Sequence, residues 1–290
     1  MEIYVHDHLS RNSKFCCSSD SFKNSNAVIV GLPFDNTASF RPGARFGPVR
    51  IREASFMGGI EEYSIYQNKS LEDFNFYDAG DVDMRYGNTA ANLETIYQVA
   101  KDLLVQDKRI FSMGGEHLVS LPMVKAYHEK YPDLVVVQFD AHADLRNEYK
   151  GEKLSHATVI RRIWELLQPQ SIFQLGIRSG DRDELALTTP GQLYANQVLP
   201  AIPAIKSLIG QRPVYITLDI DVLDPAFAPG TGTPESGGIS AAELISAMLE
   251  LASLNVVGFD LVEIAPLLDA SGQTATLGAK LLREALLAYT

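Results

Sequence analysis

Short, unbroken apolar runs constrain this chain more than any other feature. Leu134-Val135-Val136-Val137 and Val256-Val257-Gly258-Phe259 show no alternation of polar and apolar residues. A strand with that pattern is covered on both faces, the situation of a mainly parallel sheet lying between helices. Strands are predicted over 28–31, 74–77, 109–113, 134–139, 171–175, 192–195, 213–218 and 256–260. Amphipathic helices are predicted between them. In 88–106, Leu93, Ile96, Tyr97, Ala100, Leu103 and Leu104 recur at helical spacing. In 240–254, Ser240 with Glu243 reads as a capping box ahead of the stripe Leu244, Ile245, Met248, Leu249 and Ala252. A last helix is predicted over about 274–289. Strand and helix in alternation mean βαβ units.

No repeat, low-complexity tract or linker divides the 290 residues, so one domain is expected over 1–290, with 1–26 as an N-terminal arm or loop. The formal charge of −11 argues against a general nucleic-acid binder and suits a protein that attracts cations. No apolar run is long enough to cross a membrane, and the first residues do not read as a signal peptide, so the cytoplasm is the expected compartment. The two cysteines, Cys16 and Cys17, are adjacent and offer no zinc spacing.

In open parallel sheets, chemistry collects at the carboxyl ends of the strands. Three predicted strands end in unusual residues. After 109–113 comes Gly114-Gly115-Glu116-His117. After 134–139 comes Asp140-Ala141-His142-Ala143-Asp144, and 213–218 runs into Asp219-Ile220-Asp221. If the chain stays extended there, residues two apart share a face, which pairs Asp140 with His142 and Asp219 with Asp221. Asp144 joins them if the chain bends. One Asp-x-Asp after a strand is common as plain structure, but three such tips on apolar strands are not, because a buried acidic cluster needs a partner. Four carboxylates would largely protonate unless cations were present, and two divalent ions would neutralise them. Oxygen-rich ligation without thiolate favours Mn²⁺ or Mg²⁺ over zinc, and the two imidazoles favour Mn²⁺, with Co²⁺, Ni²⁺ or Fe²⁺ as substitutes.

These three tips, with the continuation Val222-Leu223-Asp224-Pro225, Ala228-Pro229-Gly230-Thr231-Gly232-Thr233-Pro234 and Gly237-Gly238, resemble the signatures of the ureohydrolases, the family of arginase and agmatinase. The resemblance runs from about Val28 to the C-terminus. It implies a three-layer α/β/α sandwich with a mostly parallel, eight-stranded sheet. It implies two Mn²⁺ ions, one on His117 and Asp144 and one on His142 and Asp221, with Asp140 and Asp219 bridging. It implies a hydroxide, formed from a bridging water, that attacks a guanidinium carbon to give urea and an amine. Asp144 also hydrogen-bonds the hydroxide in that scheme.

The same resemblance assigns Glu263, in Asp260-Leu261-Val262-Glu263-Ile264-Ala265-Pro266, to the substrate guanidinium, which a carboxylate meets with two parallel bonds. On the residues alone it reads equally as a surface glutamate. His156, in Leu154-Ser155-His156-Ala157-Thr158, aligns with a histidine that relays protons in the family; on the residues alone it is an N-terminal helix residue. The stretch 145–156 lacks the Ser-Gly-Asn by which arginases read the amino-acid end of arginine. The loop Phe40-Arg41-Pro42-Gly43-Ala44-Arg45-Phe46-Gly47-Pro48 and the Ser-His-Ala-Thr run look instead like bacterial agmatinases. The expected reaction is agmatine to putrescine and urea, a step of polyamine synthesis. Other guanidino hydrolases (guanidinobutyrase, guanidine hydrolase, arginase) and a non-catalytic metal-binding homologue are the alternatives. The expected partners are a small cationic guanidino substrate and further copies of the chain in a trimer or hexamer, with no nucleic acid and no membrane.

Overall fold

The structure is a computed structural model that describes residues 8–11, 13–188 and 191–290. In chain order its elements are β1 (Leu9–Ser10), β2 (Ala27–Leu32), α1 (Gly47–Phe56), β3 (Tyr63–Ser64), β4 (Lys69–Ser70), β5 (Phe76–Val82), α2 (Thr89–Val105), β6 (Arg109–Gly114), α3 (Ser120–Lys130) and β7 (Val135–Phe139). There follow α4 (Val159–Leu167), β8 (Ile172–Ile177), α5 (Arg182–Ala186), β9 (Leu193–Ala195), α6 (Ile202–Ile209), β10 (Pro213–Asp219), α7 (Ala241–Leu251), β11 (Asn255–Val262) and α8 (Gln273–Tyr289). Nine strands form one sheet in the order β1-β5-β2-β6-β11-β10-β7-β8-β9, parallel throughout except where β1 meets β5.

The apolar strands divide their side chains between two cores, as their pattern requires. Val135, Val137, Ile216, Leu218 and Phe259 lie on the face covered by α1, α6, α7 and α8, among Ile51, Ile205, Met248 and Leu282. Val28, Val30, Val136 and Tyr215 lie on the opposite face, against Ile96, Val124 and Ile163 of α2, α3 and α4. This is the expected three-layer α/β/α architecture, with a large, mostly parallel sheet between two helical layers.

All eight expected strands are in the sheet. The ninth, β1, comes from the segment expected to be an arm or loop, whose residues 1–7 and 12 lie outside the described residues. It pairs Leu9 with Val82 and Ser10 with Asp81. Two residues are too few to display any periodicity. The strand expected at 74–77 instead runs over Phe76–Val82, carrying Asp78 and Asp81 inside the sheet. Their charge is met by Arg52, buried on α1, whose Nε lies 2.8 Å from Asp78. Asn88 caps α2 by accepting from the Ala91 N–H. Ser240 caps α7 by accepting from the Glu243 N–H at 3.1 Å, one half of the expected capping box. That helix ends at Leu251, three residues before its expected limit.

One contact at the carboxyl edge of the sheet places the loop after β2. A Cβ added at Gly115 would lie 1.8 Å from the Phe34 carbonyl oxygen. The loop backbone therefore rests directly on the end of β6, and the Glu116 N–H donates to Phe34 O at 2.7 Å. This brings Thr37 and Ser39 beside His117's strand end.

Candidate active site

The expected residues from three strand ends do converge, but not through extended chain. After β7 the His142 N–H donates to Asp140 Oδ1 at 2.6 Å. After β10 the Asp221 N–H donates to Asp219 Oδ1 at 2.9 Å, and residues 220–222 form a tight 3₁₀ turn. Both are Asx-turns, in which an aspartate captures the backbone two residues on. The pairs meet because the chain turns, not because it is pleated. Asp144 joins them at a left-handed backbone angle, φ 53°. Each tip then reaches the next: the Ala141 N–H donates to Asp221 Oδ1 at 2.9 Å.

His117 Nδ1 lies 3.0 Å from Asp140 Oδ2, 3.3 Å from Asp144 Oδ2 and 3.4 Å from Asp219 Oδ2. His142 Nδ1 lies 2.8 Å from Asp221 Oδ2 and 3.5 Å from Asp140 Oδ1. Two sets of ligand atoms result, His117 with Asp140 and Asp219, and Asp140 with His142 and Asp221. Asp140 belongs to both.

Polar residues inside the strands orient these side chains. Thr217 Oγ1 donates to Asp260 Oδ1 at 2.6 Å, and Asp260 Oδ2 accepts from the Tyr215 hydroxyl at 2.7 Å. With its one proton spent on Asp260, the Thr217 hydroxyl accepts from His117 Nε2, 2.9 Å away. Nε2 therefore carries a proton, and Nδ1 of the neutral ring offers its lone pair to the carboxylates. Asp140 is held likewise: Gln138 Nε2 donates to its Oδ2 at 2.6 Å, and Gln174 donates to Gln138 Oε1 at 2.7 Å.

A lone pair facing three carboxylate oxygens is unstable without a positive charge between them. His117 Nδ1 is buried and makes no well-directed hydrogen bond to any of the three. Without a cation the cluster must take up protons. Against the cost of burial, the surrounding aspartates hold both imidazoles well above their usual range. Burial, reinforced by Asp140, pushes Asp144 up to about 7, and burial with Asp221 and Asp140 raises Asp219 well above the carboxylate range. Asp140 itself stays low despite burial, because the imidazoles of His117 and His142 stand 3.0 and 3.5 Å from its oxygens. Four carboxylates and two imidazoles in this arrangement fit a pair of divalent cations, which would replace those protons.

The cluster floors a cavity of about 290 Å³. Glu263 and His156 line it. Glu263 follows β11 with φ 65°, its N–H donating to Gly115 O at 2.8 Å and its Oε1 accepting from the His117 N–H at 2.9 Å. Burial pushes its carboxyl up to about 8. His156 stands on the opposite loop. Its Nδ1 lies 2.9 Å from the Thr37 carbonyl, which can only accept, so Nδ1 carries the proton. Nε2 is then the basic nitrogen, 3.2 Å from Ser39 Oγ at the cavity wall. Burial pushes the imidazole down to about 4, so the ring is neutral at pH 7.

That shift has a consequence for stability. The folded-state value lies below the unfolded one of about 6.5, so the unfolded chain binds the extra proton between pH 6.5 and 4. The contribution of the neutral ring is complete above pH 6.5 and is lost as pH falls through that window, by up to about 3 kcal/mol. In denaturant unfolding at pH 7 and pH 4.5, His156→Asn should lose less stability on acidification than the parent. Equal losses would mean that His156 is not buried neutral.

Thr37, Ser39, Gln138, Gln174 and Thr217 were not expected in the site. The visible signal for three of them is a polar residue interrupting an apolar strand, Gln138 in Val-Val-Val-Gln-Phe, Gln174 in Ile-Phe-Gln-Leu and Thr217 in Val-Tyr-Ile-Thr-Leu.

Residues 25–288 match the Arginase family. The agmatinase of Bacillus subtilis (strain 168) is 46% identical over 279 residues, 95% of this chain and 96% of that protein. The agmatinase of Halalkalibacterium halodurans is 48% identical over the same shares. The crystal structure of the agmatine ureohydrolase of Thermoplasma volcanium is similar with a TM-score of 0.84 at 31% identity, covering 96% of this chain and 94% of that one.

Proposed function

The chain belongs to the arginase family, and from that premise we propose that it is an agmatinase, hydrolysing agmatine to putrescine and urea. The observation that carries this reading is the near-identical extent of the chain and agmatinases at 46–48% identity, laid over a cavity whose floor is a paired imidazole–carboxylate cluster. In this reading His117 and Asp144 would hold one manganese ion, His142 and Asp221 would hold the other, and Asp140 and Asp219 would serve both. When bound, such ions act as Lewis acids and bring the pKa of a coordinated water close to neutrality.

The protein's own groups supply the rest. Glu263 spends Oε1 on the His117 N–H, which leaves Oε2 to accept from the substrate guanidinium and aim its carbon at the floor. Asp144, beside that carbon, accepts a hydrogen bond from the attacking water. His156 is neutral with Nε2 toward the cavity, so it takes up a proton and returns it to the departing nitrogen. The bond between the guanidinium carbon and the substituted nitrogen breaks. The amine leaves protonated, and urea remains.

The reading extends to one domain spanning 1–290, to assembly into a trimer or hexamer, to a cytoplasmic site of action and to a role in polyamine synthesis. No helix among the described residues is long and apolar enough to cross a membrane. The test is urea release by Mn²⁺-loaded protein with agmatine, arginine, 4-guanidinobutanoate and guanidine compared directly. Agmatine is expected to lead in kcat/KM by about a hundredfold, the margin that one well-placed charged contact with its tail, added to shape, provides. Preference for another guanidine would replace the substrate. No urea from any of the four with two ions bound would remove the hydrolase reading.

A further inference from the structure

We propose that Glu235 reads the distal ammonium of the substrate and thereby sets the preference for a guanidine that carries a second positive charge. The proposal rests on the agmatinase reading above. With the guanidinium on Glu263, agmatine carries its ammonium four methylenes away, along the cavity wall. A cation placed there needs a carboxylate that is not already occupied.

Outside the floor and Glu263, the acidic residues lining the cavity are Asp181, Glu184 and Glu235. The first two are committed. Asp181 Oδ1 caps α5, accepting from the N–H groups of Asp183 and Glu184 at 3.0 and 2.9 Å, and its Oδ2 lies 3.3 Å from Arg146. Glu184 accepts from the Leu145 N–H at 3.0 Å and the Asp181 N–H at 2.8 Å, with Arg146 Nε 3.5 Å away. The Glu235 carboxylate has neither an ion pair nor a hydrogen bond among the described residues.

The main chain under Glu235 is fixed to the metal cluster. Arg178 Nη2 donates to Glu235 O at 2.7 Å and to Asp221 O at 2.7 Å, while Nη1 donates to Val222 O at 3.1 Å. One guanidinium thus ties the backbone of Glu235 to the turn that carries the ligand Asp221. On the other side, Asp224 Oδ2 accepts from the N–H groups of Gly237 and Gly238 at 2.8 and 3.2 Å. A carboxylate on a loop pinned at both ends loses little freedom when it meets a ligand, so it serves discrimination well.

The probe is the pair agmatine and n-butylguanidine, of similar length and differing in the ammonium. Glu235→Gln preserves the carbonyl that Arg178 holds and removes only the charge. The ratio of kcat/KM for agmatine to that for n-butylguanidine should fall about fivefold, mostly through KM, the effect of one half-exposed ion pair. Glu235→Lys should raise 4-guanidinobutanoate relative to agmatine. An unchanged ratio in Glu235→Gln, or an equal fall for both substrates, overturns the proposal. So does loss of the preference in Asp181→Asn with its retention in Glu235→Gln. A parent protein that does not hydrolyse agmatine defeats the functional reading as well; a parent that prefers agmatine, with a variant that still does, defeats this proposal alone.

Discussion

Asp140→Asn is expected to lose bound metal and activity together, with kcat/KM down by about a thousandfold or more. The size of the effect follows from the neighbours of both oxygens. Oδ1 accepts from the His142 N–H at 2.6 Å and Oδ2 accepts from Gln138 Nε2 at 2.6 Å. An asparagine must turn its NH₂ toward one of these donors in either orientation. Gln138 cannot rotate away freely, because its own oxygen is held by Gln174 at 2.7 Å. The substitution therefore removes the charge shared by both ligand sets and sets donor against donor in a buried position, where an unmet polar group is costly. Metal content after dialysis, measured alongside urea release, decides it. A variant with both ions and near-normal turnover would remove Asp140 from the bridging role.

Glu263→Gln is expected to keep its metal and lose about a hundredfold or more in kcat/KM. Glu263 meets only backbone groups here, its Oε1 accepting from the His117 N–H and its own N–H donating to Gly115 O. A glutamine oxygen can keep the first bond. The NH₂ then faces the substrate, where a guanidinium brings only donors. Steady-state kinetics and metal analysis on the same preparation test this, with an unfolding curve to show that the fold is retained. Unchanged kinetics would exclude Glu263 from substrate binding.

The architecture is legible in the sequence where a physical pattern is long enough to be periodic. Val135 and Val137 on one core and Val136 on the other are what an unbroken apolar strand requires. Leu9–Ser10 and the hairpin of Tyr63–Ser64 with Lys69–Ser70 carry two residues per strand, and their pairing is decided by tertiary contacts. The hairpin, for instance, is held by Ser64 and Gln67 on Glu284 of α8, at the far end of the chain. The candidate ligand side chains are legible because acidic and imidazole groups at apolar strand ends have few structural uses. Their local geometry is not. At Asp140 and Asp219 the carboxylate captures the backbone N–H two residues on, a local turn that spacing does not reveal. Thr217 and Asp260 escape notice for a different reason: a polar residue inside a buried strand gains its meaning from a neighbour on another strand, here the ring of His117.

The candidate ligand side chains are gathered from separate parts of the polypeptide. His117 follows β6, Asp140 to Asp144 follow β7, and Asp219 and Asp221 close β10, while in the sheet these strands stand in the sequence β6-β11-β10-β7. Cations held there would close long chain loops at a single knot, much as a crosslink does, and would favour the folded over the unfolded chain by their binding free energy. The central strands would then be the last to separate when the protein opens, and the cofactor would be as much a fastener of the sheet as a reagent in its cavity.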